Sequence, residues 1–112
     1  MSLREEQSLF LDDVVRLLIF AKNQGLEVTG GELSRTEEQQ ALYVKEGKSK
    51  TMNSYHLKRL AIDLFFFTNG QLTMIKNNLQ KIGDYWESLS PVNKWGGNFS
   101  NFTDTPHFER RA

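Results

Sequence analysis

The chain has two histidines, and each lies in a short polar cluster with an aspartate nearby. One cluster is Ser54-Tyr55-His56, with Asp63 just downstream; the other is Asp104-Thr105-Pro106-His107. Two imidazoles and one carboxylate make a three-ligand zinc site whose fourth position stays open for water. The second aspartate is then free to act as a base toward that water. These residues therefore predict a small zinc hydrolase.

The spacings constrain the elements that carry them. Ligands on one helical face are three or four residues apart, as in the HExxH motif. His56 and Asp63 are seven apart, which suits a loop running into a strand, with both side chains turned to one end of a sheet. Asp63 interrupts the apolar run from Leu60 to Phe67. A lone carboxylate in a buried strand is costly unless it is paired or bound to a metal. An equal reading is a strand-end Asp bonded to backbone N–H groups or to Arg59. Pro106 fixes the backbone ahead of His107, and Glu109 offers a partner for its imidazole. A single histidine near a C-terminus is ordinarily a surface residue, but that explanation would have to hold for both clusters at once. Asp104 also suits the opening of a turn before Thr105-Pro106, a role compatible with that of a base.

Around these clusters the pattern predicts alternating helices and strands. Phe10, Val14, Leu17, Leu18 and Ala21 share one face of a helix over about Arg4 to Gln24, stopped by Gly25. Leu26 to Thr29 alternates as a short strand before Gly30-Gly31. Thr36 is positioned to cap a second helix reaching about Glu46, and Lys48 to Ser54 reads as loop. Leu60 to Phe67 reads as a buried strand, with Phe65-Phe66-Phe67 taken as core and Asn69-Gly70 as the turn that follows. Gln71 to Leu89 returns to helical spacing through Leu72, Ile75, Leu79, Ile82 and Trp86, ending at Ser90-Pro91. A structured loop follows to Phe102, and His107 to Glu109 forms a last short strand. The expected class is α+β: a small antiparallel sheet with flanking helices and one zinc site at one end of the sheet.

The bulk composition narrows the functions. At 112 residues a single domain over 1–112 is expected. The 14 basic and 14 acidic residues cancel, which argues against a general nucleic-acid binder. With no cysteine, a metal must take His, Asp or Glu. The run Val14 to Ala21 is far too short for a membrane span. The residues before it lack the basic leader of a signal peptide, so synthesis in the cytoplasm is expected.

Ser54-x-His56-x6-Asp63 followed by Asp104-x-x-His107 resembles the zinc peptidases that cut bacterial peptidoglycan stem peptides. That family includes D,D-carboxypeptidases and the L-alanyl-D-glutamate endopeptidases of phage lysins. Its usual pattern is S-x-H-x-x-G-x-A-x-D, then E/D-x-x-H. Here Ala61 and Asp63 match, and Arg59 stands where glycine is usual. Arg35-Thr36 with the following Glu38 to Tyr43, and Trp95-Gly96-Gly97-Asn98-Phe99, are similar to two further family segments. The resemblance implies His56, Asp63 and His107 as ligands of one zinc ion, Asp104 as general base and Arg35 as a stabiliser of the oxyanion. It implies substrate contacts from Ser54, from Gln39 or Gln40, and from Trp95 as a wall for the peptide. It implies a monomer acting at the bacterial cell wall on peptidoglycan stems, most closely an L-alanyl-D-glutamate endopeptidase with D,D-carboxypeptidase as the near variant. A non-catalytic zinc-stabilised binding module of the same fold is the alternative; a carboxylate poised over an open metal position, as Asp104 would be, distinguishes the enzyme.

Overall fold

A computed structural model describes residues 1–49 and 54–112. Helix α1 spans Leu3–Asn23 and opens with a reciprocal cap between Ser2 and Glu5. Strand β1 is Glu27–Gly30 and helix α2 is Glu37–Lys45, where the Thr36 hydroxyl accepts from the Gln39 amide. A 3₁₀ turn over Tyr55–Lys58 leads into strand β2, Ala61–Thr68. Strand β3 is Gln71–Thr73, helix α3 is Lys76–Ser88, strand β4 is Asn93–Trp95 and strand β5 is His107–Arg110. A 3₁₀ turn over Gly96–Asn98 follows β4.

All pairings in the sheet are antiparallel, in the order β1-β2-β5-β4, and β3 pairs with the far end of β2. The architecture is the α+β arrangement expected, with helices against an antiparallel sheet.

Strand alternation separates the sheet into a core face and an open face. Leu64 and Phe66 of β2, Phe108 of β5 and Trp95 of β4 meet Phe10, Val14, Leu17 and Ala21 of α1 and Leu79, Ile82 and Trp86 of α3. Trp86 stands edge-on to Phe10 and Phe108, with ring centroids 5.6 and 5.9 Å away. Burying each such ring contributes roughly 1.5–3 kcal/mol. Asn93 donates to Asp13 of α1 and to the Trp86 carbonyl, which fixes β4 to both helices. Asp63, His107 and Glu109 alternate onto the other face.

Three expectations change. Gln71–Thr73 is not the start of α3 but a strand, because Asn69 and Gly70 both take positive φ, 52° and 77°, and fold the chain back as a tight hairpin. Leu72 and Ile75 accordingly stay exposed, and the buried stripe of α3 begins at Leu79. Phe65 to Phe67 is not uniformly core: the period of two buries Phe66 and turns Phe65 toward the open face. The expected loop before Phe102 also contains β4. Positions 50–53 of the predicted Lys48–Ser54 loop lie outside the described residues.

Candidate metal centre

Asp63 and His107 face each other across one rung of the β2–β5 ladder. His56 reaches the same point from the 3₁₀ turn that precedes β2. That turn ends at Arg59, whose φ of 57° and ψ of 38° are left-handed, and the chain then enters β2 through Leu60. The usual family glycine at this position therefore has a physical reason, since the left-handed region costs other residues roughly 1–2 kcal/mol. Arg59 adopts the turn regardless.

The ligand-type atoms of His56, Asp63 and His107 all lie within 4.8 Å of one another. His56 Nε2 is 3.3 Å and His107 Nδ1 is 3.6 Å from Asp63 Oδ1. The opposite nitrogens are occupied: His56 Nδ1 lies 3.3 Å from the Leu33 carbonyl and His107 Nε2 lies 2.6 Å from Glu109 Oε1. When the rings are neutral, these acceptors select tautomers that leave a lone pair on each nitrogen facing Asp63. Among the described residues, buried His56 Nε2 has no hydrogen-bond partner, although Asp63 Oδ1 lies 3.3 Å away. An orphaned imidazole nitrogen beside a second imidazole and a carboxylate is a donor set that fits a borderline-soft divalent cation such as zinc.

The charges agree with that geometry. Burial raises the Asp63 pKa, but His107 and His56 outweigh it and hold the carboxyl well below its ordinary range. Burial lowers His107, yet Asp63 and Glu109 lift it to about 9. Burial pushes Asp104 up from the usual carboxylate value, partly opposed by His107. Asp104 is half-buried and lines the same cleft as the three clustered residues, a cavity of about 1030 Å³. Its turn is set by His107 N–H donating to the Asp104 carbonyl and Asp104 N–H donating to Gly96.

The opposite wall is polar. Loop 31–35 is tied to the centre three times: Gly31 N–H donates to the Asp63 carbonyl, Asp63 N–H donates to Glu32, and the Leu33 carbonyl meets His56. Arg35 follows directly. Its guanidinium lies over the Tyr43 ring and donates to Glu32, to Gln40 at 2.7 Å and, at 3.5 Å, to the Ser54 hydroxyl.

Two sequence expectations are corrected here. Gln40, not Gln39, hydrogen-bonds Arg35; Gln40 is buried, while Gln39, the neighbour about 100° around α2, is exposed. Trp95 does not offer its ring as a wall for a peptide: it is 0% exposed, and its indole N–H donates to the Thr105 carbonyl. It instead holds the turn that carries Asp104 and His107. Three features escaped the sequence reading. Glu32 gave no signal as one acid in a polar loop. A Cβ on Gly83 or Gly97 would overlap the Trp95 ring, and one on Gly96 would overlap the Asp104 carbonyl.

Fold and site together define a small α+β protein with a two-histidine, one-aspartate metal centre candidate on the open face of its sheet. The family described as D-alanyl-D-alanine carboxypeptidase matches residues 47–110. The L-alanyl-D-glutamate peptidase of Listeria phage A118 is 34% identical over 95 residues, which are 84% of this chain and 34% of that protein. The chain thus spans about a third of the length of the curated relative it matches. The crystal structure of Serratia marcescens L-Ala D-Glu endopeptidase ChiX shares the fold, with a TM-score of 0.70 at 24% identity over 88% of this chain and 78% of that one. The chain belongs to this D-alanyl-D-alanine carboxypeptidase family of peptidases.

Proposed function

We propose that the protein is a zinc-dependent peptidase that hydrolyses peptidoglycan stem peptides, most closely at the L-alanyl-D-glutamate bond. The observation that carries this reading is the convergence of His56 Nε2 and His107 Nδ1 on Asp63 Oδ1. The relative named as an L-alanyl-D-glutamate peptidase supports the choice of bond. His56, Asp63 and His107 would hold the ion. Bound zinc supplies Lewis acidity, polarising a carbonyl and lowering the pKa of water to about 7.

The chain's own residues do the rest. Asp104 takes the proton of the attacking water and returns it to the leaving amine nitrogen. Burial that raises its pKa makes it a better base near neutral pH. Arg35 directs its guanidinium toward the carbonyl oxygen as negative charge develops there. Ser54 sits beside Arg35 and bonds the substrate backbone. Glu109 and the Leu33 carbonyl keep the imidazoles in the required tautomers. Work at the bacterial cell wall follows from the substrate. A binding module of the same fold would have no use for Asp104 in the cleft.

The test is mass spectrometry of muropeptides after digestion, run beside metal analysis. We expect about one zinc per chain and new fragments ending in L-alanine. Asp104→Asn should keep zinc and fold and lose cleavage; His56→Ala should lose both zinc and cleavage. Release of terminal D-alanine instead would make the protein a D,D-carboxypeptidase. Absence of bound zinc, or of any stem-peptide cleavage, overturns the reading.

A further inference from the structure

We infer that Glu32 is a positioning residue, which clamps Arg35 along one wall of the cleft and so sets the direction of its guanidinium. This rests on the reading that Arg35 works on the substrate carbonyl.

Arg35 is nearly buried, with 8% of its side chain exposed, and a cation so enclosed requires an anionic partner. Among the described residues, Glu32 is the acid it pairs with. Glu32 Oε1 accepts from Arg35 Nη2 at 3.3 Å and Oε2 accepts from Nε at 3.4 Å, a side-on grip that fixes the plane of the guanidinium. Tyr43 completes the clamp: its hydroxyl donates to Glu32 Oε1 at 2.9 Å, and its ring lies under the guanidinium, 4.7 Å from ring centre to Cζ. Gln40 holds the remaining arm, with Nη1 donating to its Oε1 at 2.7 Å.

The clamp has a chemical purpose. Asp63 and Asp104 line the same cleft. A loose guanidinium would be drawn to those carboxylates, closing the metal position and neutralising the base. Glu32 satisfies the charge through Nε and one N–H of Nη2, and leaves the second N–H of Nη2 for substrate. The backbone of the same residue accepts from Asp63 N–H. A side-chain substitution leaves that bond in place, so orientation of Arg35 can be separated from support of the metal centre.

The experiment uses zinc-loaded protein, muropeptides as substrate, and ¹⁵N NMR of the arginine Nε–H signals. In the unaltered protein the Arg35 Nε–H should be protected from exchange, and in Glu32→Gln that protection should be lost while zinc stoichiometry is kept. The kcat of Glu32→Gln should fall about 10- to 100-fold, the usual range for removing an outer-shell support, with a much smaller change in KM. Glu32→Asp should recover part of kcat. In an Arg35→Ala background, Glu32→Gln should cost nothing further. An Arg35 signal equally protected in Glu32→Gln, or a cost fully additive with Arg35→Ala, overturns the inference. If Arg35→Ala itself retains full kcat, the assigned role of Arg35 fails; the NMR result still decides whether Glu32 holds the guanidinium.

Discussion

His56 and His107 present unlike nitrogens, Nε2 and Nδ1, to the same oxygen of Asp63. The difference comes from their elements. His56 rises from a turn and reaches in with the tip of its ring; His107 lies in a strand directly opposite Asp63 and meets it with the near nitrogen. Each ring then has its other nitrogen on a protein acceptor, so the nitrogen that faces Asp63 is set on both rings before any ion arrives.

Metal affinity should rise with pH. His107 must be neutral to ligate, and in the metal-free chain its pKa stands at about 9. Below that value every pH unit gained raises the neutral fraction about tenfold. Chelator competition between pH 7 and 9 should show that slope for zinc, together with proton release on binding. An affinity independent of pH across this window would show that His107 is not a ligand.

The stability of the metal-free chain should run the other way. His107 has its pKa raised from 6.5 to about 9 on folding, so its contribution is fully present below 6.5 and is lost as pH rises through 9. The contribution is on the order of 3 kcal/mol. Asp63 is depressed below 3.8, so its contribution is present above that value and fades as pH falls. Thermal denaturation of chelator-treated protein should therefore give the highest Tm between about pH 4 and 6.5, and a falling Tm toward pH 9.

Glu109→Gln should weaken zinc binding about 10- to 100-fold. The substitution removes the carboxylate that holds His107 Nε2 and leaves Arg111 without its acidic partner. Far-UV circular dichroism should stay unchanged, because the backbone of β5 does not depend on that side chain. Zinc affinity equal to the unaltered protein would count against the outer-shell role.

Gly83→Ala should destabilise the protein by about 2 kcal/mol. In an exposed helix this change gains about 1 kcal/mol. Here the new methyl would meet the Trp95 ring in a filled core, and overpacking outweighs propensity. Urea denaturation gives the sign directly.

Arg59→Gly should stabilise by about 0.5–1 kcal/mol, the relief of left-handed strain less the added freedom of the unfolded chain. Zinc affinity should not change, since His56 is placed by Ser54 and Leu33 rather than by the Arg59 side chain.

Much of this site was legible because local rules and tertiary demands agree there. Thr36 reads as a cap and is one; Asn69-Gly70 reads as a hairpin turn and is one. The gap of seven between His56 and Asp63 suited a loop entering a strand, and that is how the chain runs. The failures occurred where periodicities coincide. Leu72 and Ile75 fit a helix by spacing, but the hairpin needs a return strand, and pairing with β2 takes precedence over three residues of helical pattern. Gln39 and Gln40 are adjacent, and only the rotation of α2 distinguishes them. Glu32 was invisible because Arg35, three residues on, lies in a loop without regular spacing, and Tyr43 and Asp63 are brought to it by folding.

The indole of Trp95 has consequences for how such a protein can change. One side of it rests on a helix glycine, another on a turn glycine, and its N–H holds the Asp104–His107 turn. Trp95 therefore joins the hydrophobic interior to the rim of the cleft. Selection for heat tolerance that repacks this interior would re-aim Asp104 as well, so gains in endurance and in rate draw on the same few atoms. Variation has more freedom on the Lys48 side of the cleft, which lies outside the Trp95 packing.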